Sequence, residues 1–288
     1  MSTTREYSLN IPEHVYFIAE IGINHNGDMK IAKNLIDIAK RYGCDAVKFQ
    51  KRTLDIVYTP EYMDGPRESP FGTTQRDLKE RLEFGEAEYK EIDSYCKSIG
   101  IDWFASAWDE KSQEFLAGFD MPHNKLASAM LTHATLPRQI AQEGRHTFIS
   151  TGMSTYEEID RVVDIFSTEN CPFTLMFTVS TYPTPRDQIN ISGMLELKKR
   201  YQRDVGYSGH ETGILPSLMA LAYGAVAIER HITLDRSMYG SDQSASLERR
   251  GLEMLVNYAR ALHTVFGDGE RRVTDDELAV AEKLRYWN

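Results

Sequence analysis

Residues 215–231 read LPSLMALAYGAVAIERH, and the reading of this stretch decides the fold. LPSLMALAYG (215–224) is a helix-length apolar segment closed by a glycine. AVAIER (225–230) is a short apolar run of the kind that makes a buried strand. Helix, glycine, strand is the repeating unit of an α/β protein. The run finishes on Glu229, Arg230 and His231, ionisable groups whose burial is costly unless they are paired or used.

Working outward, the unit recurs. Strand-like runs stand at VYFIAE (15–20), DAVKFQ (45–50), IDWFAS (101–106), NKLAS (124–128), HTFIS (146–150), FTLMFTVS (173–180) and DVGYS (204–208). Between most of them lie amphipathic segments of helix length. MKIAKNLIDIAKRYG (29–43) and EAEYKEIDSYCKSIG (86–100) both end on glycine, and YEEIDRVVDIFST (156–168) is a third. Eight such units in roughly 250 residues match a closed (β/α)8 TIM barrel better than an open sheet. No GxGxxG follows the first run, which weakens a dinucleotide-binding reading. The expectation is a single α/β domain over 1–288, with the barrel at about 15–270 and a C-terminal helix within 271–288. Residues 51–85, including YTPEYMDGPRESPFGTT, read as a long irregular loop, and loops of that length are usually functional or mobile.

Composition narrows the function. With 41% apolar and 26% charged residues the chain can bury an ample core. The net charge of −10, from 43 acidic against 33 basic residues, argues against nucleic acid or an anionic membrane as partner, but leaves room for a small anion met by local cations. Cys44, Cys96 and Cys171 have no paired spacing and fit free thiols in a reducing cytoplasm. The opening MSTTREYSLNIPEHVYF has no long apolar core, so no signal peptide is expected. No apolar run approaches the roughly 20 residues of a membrane helix.

In a barrel of this kind the chemistry sits at the C-terminal ends of the strands. Those ends carry Glu20, then Lys48 and Gln50, Ser106, Lys125 and Ser128, Ser150 and Thr151, Ser180 and Tyr182, Ser208 and His210, and Glu229 and His231. Each has an ordinary structural reading. Lys48 could sit in a salt bridge, Glu229 could pair with Arg230 or Lys48, and Ser128, Ser150 and Thr151 could cap helices. His25 in the NHNG turn could make a local hydrogen bond. Taken together at one mouth they would form a single charged pocket. His210 and His231 could each offer an imidazole to one metal, in an open oxygen-rich site that suits Mn²⁺ or Mg²⁺ better than Zn²⁺. Lys48 and Lys125, with the Ser128 and Ser208 hydroxyls, could hold a phosphate or carboxylate.

In this order and spacing, FIAEIGINHNG, DAVKFQ, KLAS, STGMS, TYPTP and IERHITL resemble the catalytic barrel of the sialic acid synthase family, from about residue 15 to 285. The resemblance implies condensation of phosphoenolpyruvate with an unphosphorylated sugar aldehyde, typically N-acetylmannosamine, giving a 3-deoxy-ulosonic acid and phosphate. It implies that His210 and His231 ligate a divalent ion, usually manganese. It also implies that Lys48, Lys125, Ser128 and Ser208 hold phosphoenolpyruvate. Glu20 matches a carboxylate near the reacting carbons, and Tyr182, Glu229 and Asp242 match positions around the sugar. Gln50, Ser106 and Ser180 complete the candidate substrate-binding set.

Several positions depart from the family pattern. Ser180 stands where the family usually has asparagine, and Ser208-Gly209-His210 where it often reads SDH. Arg230 replaces a lysine, and YGSDQ replaces PGPDH. The family normally continues into a small domain resembling type III antifreeze proteins, whereas this sequence stops at Asn288. The match is therefore fuller for metal and phosphoenolpyruvate than for the sugar. Two other readings stay open: a pyruvate lyase or aldolase with Lys125 forming a Schiff base, and a non-catalytic sugar-binding barrel. A homo-oligomer is expected by analogy, and the 51–85 connection is a candidate lid.

Overall fold

The computed structural model describes residues 12–287. The reading of the first eleven residues as lacking a leader therefore lies outside the described residues. Eight parallel strands close into a barrel: β1 Tyr16–Gly22, β2 Ala46–Lys51, β3 Asp102–Ala107, β4 Asn124–Leu126, β5 Thr147–Ser150, β6 Phe173–Thr178, β7 Val205–Gly209 and β8 Ala227–His231. Each strand pairs with its sequence neighbours, and β8 closes against β1, as expected for a (β/α)8 barrel. β4 is shorter than its sequence run, so Ser128 begins a 3-10 turn, and Ser180 lies beyond the end of β6. His231 is the last residue of β8.

The helices form where the apolar spacing predicts. Met29–Arg41 buries Ala32, Leu35, Ile36 and Ala39 on one face, and Asp28 caps its first turn. Glu86–Ile99 stops at Gly100, whose φ of +69° only glycine adopts without strain. The N-terminal floor of the barrel is filled by aromatic rings. Phe148 stacks on Tyr16 and Phe104 with centroids 5.8 and 5.9 Å apart, and His123 packs edge-on against all three. The barrel is thus plugged at one end and open at the other.

The 51–85 stretch is not irregular. It contains short helices at Leu54–Val57 and Pro60–Met63, an antiparallel hairpin of Pro66–Ser69 with Gly72–Thr74, and a helix at Gln75–Leu82. Glu83 pins its two ends together, accepting from Lys51 Nζ at 2.6 Å and from the Arg52 amide at 3.0 Å. Turn-rich composition concealed these elements, because each is too short to show a periodicity. The C-terminal segment folds as a helix, Asp275–Leu284, with a Thr274 capping box. No helix among the described residues is long and apolar enough to cross a membrane.

Candidate active site

Parallel register sets the site. Glu20 lies beside Lys48 on β2 and His231 on β8, Glu229 lies beside Ser208 on β7, and Ser106 lies beside Lys125 on β4. Alternation along each strand turns these side chains inward together. They line a cavity of about 210 Å³ with Gln50, Ser128, Ser150, Ser180, Tyr182 and His210.

At its base, two lysines and two carboxylates interlock. Lys48 Nζ is 2.9 Å from Glu20 and 3.6 Å from Glu229, and Lys125 Nζ is 3.1 Å from the other oxygen of Glu229. Lys125 also donates to Ser150 at 2.6 Å, and Ser208 donates to Glu229 at 3.1 Å. All four charged side chains are buried, which is tolerable only because they are mutually paired. Burial would raise the Glu229 carboxyl, but Lys125 and Lys48 outweigh it and hold it well below the usual range. Burial would lower Lys48, yet Glu20 and Glu229 keep its ammonium raised. Lys125 goes the other way, because burial outweighs Glu229 and Lys48 repels it.

Above this base stand the imidazoles. The His210 and His231 rings are 5.6 Å apart between centroids. Nε2 of His210 faces the Tyr182 hydroxyl at 2.9 Å, and its Nδ1 faces the Val179 carbonyl at 2.7 Å. Burial and the neighbouring His231 hold His210 down at about 3, so it stays a neutral imidazole. His231 Nδ1 is buried with no hydrogen-bond partner, and Asp242 lies 3.9 Å from it. Asp242 sits at the edge of the cavity rather than in its wall.

Gly152, in the STGMS string, makes a notch between two serines. Its amide donates to Ser128 Oγ at 3.1 Å, and a Cβ there would fall 2.2 Å from Ser180 Oγ. The Ser180 hydroxyl is buried and has no partner. The other ordinary readings resolve one by one. Thr151 donates to the Met176 carbonyl instead of capping a helix. His25 accepts from the Gly27 amide at 3.0 Å and stacks on Phe84, the local role expected of it.

Arg230 does not pair with Glu229. Its guanidinium turns out of the barrel to Glu211, at 2.8 Å, and to Ser217 at 2.9 Å. Gly209 makes room for this pair, since a Cβ there would lie 2.5 Å from the Glu211 carboxylate. The departures at 209 and 230 are therefore one structural unit.

Sequence reasoning missed Trp108, Met153 and Thr178 in the cavity wall, and Arg52 beside it. Arg52 lies over the Trp108 ring at 4.0 Å and donates to Gln50 Oε1 at 2.5 Å. Gln50 in turn donates to Glu20 at 2.8 Å. The signal was available: 48, 50, 52 and 106, 108 continue the inward alternation past the last apolar residue.

A closed (β/α)8 barrel with paired lysines, carboxylates and two imidazoles at its C-terminal mouth defines a class of barrel enzyme. Comparison with known proteins narrows it. Residues 35–271 match the NeuB family. The N-acetylneuraminate-9-phosphate synthase of Mus musculus is 38% identical over 272 residues, covering 93% of this chain and 76% of that protein. The N,N'-diacetyllegionaminic acid synthase of Legionella pneumophila is 33% identical, covering 94% and 78%. Among solved structures, the N-acetylneuraminic acid synthetase of Leptospira borgpetersenii superposes with a TM-score of 0.80 at 29% identity, covering 95% and 93%. The chain belongs to the NeuB family, and the resemblance in its motifs is borne out. It is an enzyme of the carbon–carbon bond-forming synthase kind.

Proposed function

We propose that this enzyme condenses phosphoenolpyruvate with a sugar aldehyde of the N-acetylmannosamine type, giving a sialic-acid-like 3-deoxy-ulosonic acid and inorganic phosphate. The observation that carries the reading is the Lys48–Glu20–Lys125–Glu229 cluster in one cavity with the His210 and His231 imidazoles.

Lys48 and Lys125 supply the cationic base on which phosphoenolpyruvate's carboxylate and phosphate would rest, with the unpartnered Ser180 hydroxyl and Ser128 alongside. The enol carbon forms the new bond to the aldehyde carbon, and the former carbonyl oxygen takes up a proton. Water then adds to the carbon bearing the phosphoryl oxygen, and Glu20 would accept its proton. The tetrahedral carbon expels phosphate by C–O cleavage, leaving the keto acid. Glu229 touches both lysines and fixes their positions.

The four-charge cluster is electrically neutral, so a multiply charged anion entering it needs a further cation. A divalent ion suits that need, and His231 Nδ1, buried without a partner, is a free donor for one. His210 and His231 would hold it. No group of three or more His, Cys, Asp or Glu converges on a metal among the described residues, so water and substrate oxygens would complete its coordination. Such mixed coordination fits Mn²⁺ or Mg²⁺, and when bound the ion would supply Lewis acidity toward the acceptor's carbonyl oxygen.

The three buried free cysteines suit a reducing cytoplasm. Phosphate release measured with phosphoenolpyruvate, Mn²⁺ and a panel of sugar aldehydes tests the reading. Release that needs both substrates supports it, and a pyruvate-dependent reaction in its place contradicts it.

A further inference from the structure

Arg52 stands one residue past the end of β2 and has no part in the condensation described above. Its backbone is held at both ends. The Arg52 amide donates to Glu83 at 3.0 Å, its carbonyl accepts from Lys51 Nζ at 3.1 Å, and the Thr53 amide donates to Asp109 at 2.7 Å. The strand end before it is pinned as well. The Gln50 carbonyl accepts from the Tyr89 hydroxyl at 2.9 Å, and the Lys51 carbonyl from the Trp108 amide at 3.0 Å. The Arg52 side chain therefore leaves a fixed point. The Trp108 ring, in the cavity wall, gives its guanidinium a flat platform 4.0 Å away.

From that platform a chain of three contacts runs into the charged base of the cavity. Arg52 donates to Gln50 Oε1 at 2.5 Å, and Gln50 Nε2 donates to Glu20 Oε1 at 2.8 Å. The other oxygen of Glu20 lies 2.9 Å from Lys48 Nζ. A carboxamide can turn either its oxygen or its nitrogen toward a neighbour. Its oxygen facing Glu20 would set two acceptors against each other. A guanidinium can only donate, so it takes the amide oxygen and leaves the amide nitrogen for the carboxylate. Gly22 packs against this bond, where a Cβ would fall 3.1 Å from both Gln50 Nε2 and Glu20 Oε1.

We propose that Arg52 is a positioning residue: by fixing the Gln50 amide it holds the Glu20 carboxylate in the orientation that accepts the proton of the attacking water. This rests on the condensation reading above, in which Glu20 has that task. Gln50 then serves the carboxylate rather than the substrate. With Arg52 removed, the amide is free to turn and Glu20 loses its donor on Oε1, which leaves Lys48 alone to steer it. A misdirected base slows proton transfer and leaves the contacts that bind substrate in place.

The test pairs steady-state phosphate release by the full chain, with phosphoenolpyruvate, Mn²⁺ and a panel of sugar aldehydes, with NMR of isotope-labelled glutamine side chains. Arg52→Met should lower kcat about tenfold to a hundredfold and move either KM by no more than about twofold. Arg52→Lys, which can still donate to the amide oxygen, should recover part of that loss. In a Gln50→Leu background Arg52→Met should cost nothing further, because Arg52 acts only through that amide. The Gln50 amide protons, identified by their loss in Gln50→Leu, should exchange slowly with water in the wild type and fast in Arg52→Met. An unchanged kcat, a loss carried by KM, or losses in the two variants that multiply would overturn the proposal. So would a Gln50 signal that Arg52→Met leaves unaltered. A wild type that releases no phosphate with any sugar contradicts the condensation, and the Gln50 signal then decides the positioning by itself.

Discussion

Lys125 Nζ lies 3.1 Å from Glu229 Oε2, and both side chains are buried at the barrel's centre. Glu229 also holds Lys48, so one carboxylate fixes both of the cations that would meet phosphoenolpyruvate. Removing one partner leaves the other charge buried and unpaired. Lys125→Met should cost about 3–5 kcal/mol of stability in urea denaturation and abolish turnover. A variant as stable as the wild type would mean that the pair is not buried in solution.

The same contact bears on Schiff-base chemistry. Burial lowers Lys125 toward the nucleophilic free amine that a Schiff base needs, but its nitrogen is occupied by Glu229 and by Ser150 at 2.6 Å. Treatment with pyruvate and borohydride should leave the protein's mass unchanged. An adduct mapped to Lys125 would replace the condensation with a lyase mechanism.

Gly209 and Glu211 predict a non-additive pair. Gly209→Asp would drive a side chain into the Glu211 carboxylate and the Tyr207 ring, each 2.5 Å from the added Cβ. A loss of about 3 kcal/mol is expected. In Gly209→Asp combined with Glu211→Ser, the new carboxylate can take over Arg230, its register neighbour, and more than half of the loss should return. Simple addition of the two single effects, measured by urea denaturation, would show that the two sites are independent.

His25 predicts a pH dependence. Burial against Phe84 holds its imidazole down at about 3, whereas in the unfolded chain it titrates near its usual 6.5. Between those values the unfolded state binds the extra proton. Stability from this group is full above about pH 6.5 and falls as pH is lowered, by at most about 1.4 kcal/mol per pH unit. His25→Phe should flatten the profile between pH 6.5 and 4.5, and an unchanged slope would assign the acid sensitivity to other groups.

The barrel was legible because its units are long and regular. The segments 29–43 and 86–100 carry their own periodicity and glycine stops, and the eight strand runs need no distant partner to be recognised. The polar strand ends were legible too, and Glu20, Lys48, Lys125, Glu229, His210 and His231 meet in one cavity. The partners of those groups were not. Nothing local tells that Arg230 turns away from Glu229 to Glu211, because that depends on which face of β8 each side chain leaves. The 51–85 connection escaped for a different reason. Its hairpin and short helices are held by Glu83, Gly27 and Tyr239, contacts distant in sequence.

The most direct test of the central claim is phosphate release from phosphoenolpyruvate with Mn²⁺ and the panel of sugar aldehydes, run beside His231→Ala. The account predicts release only when an acceptor sugar and the divalent ion are both present, and loss of that release in the variant. Release without an acceptor, or an unchanged rate in His231→Ala, would contradict it.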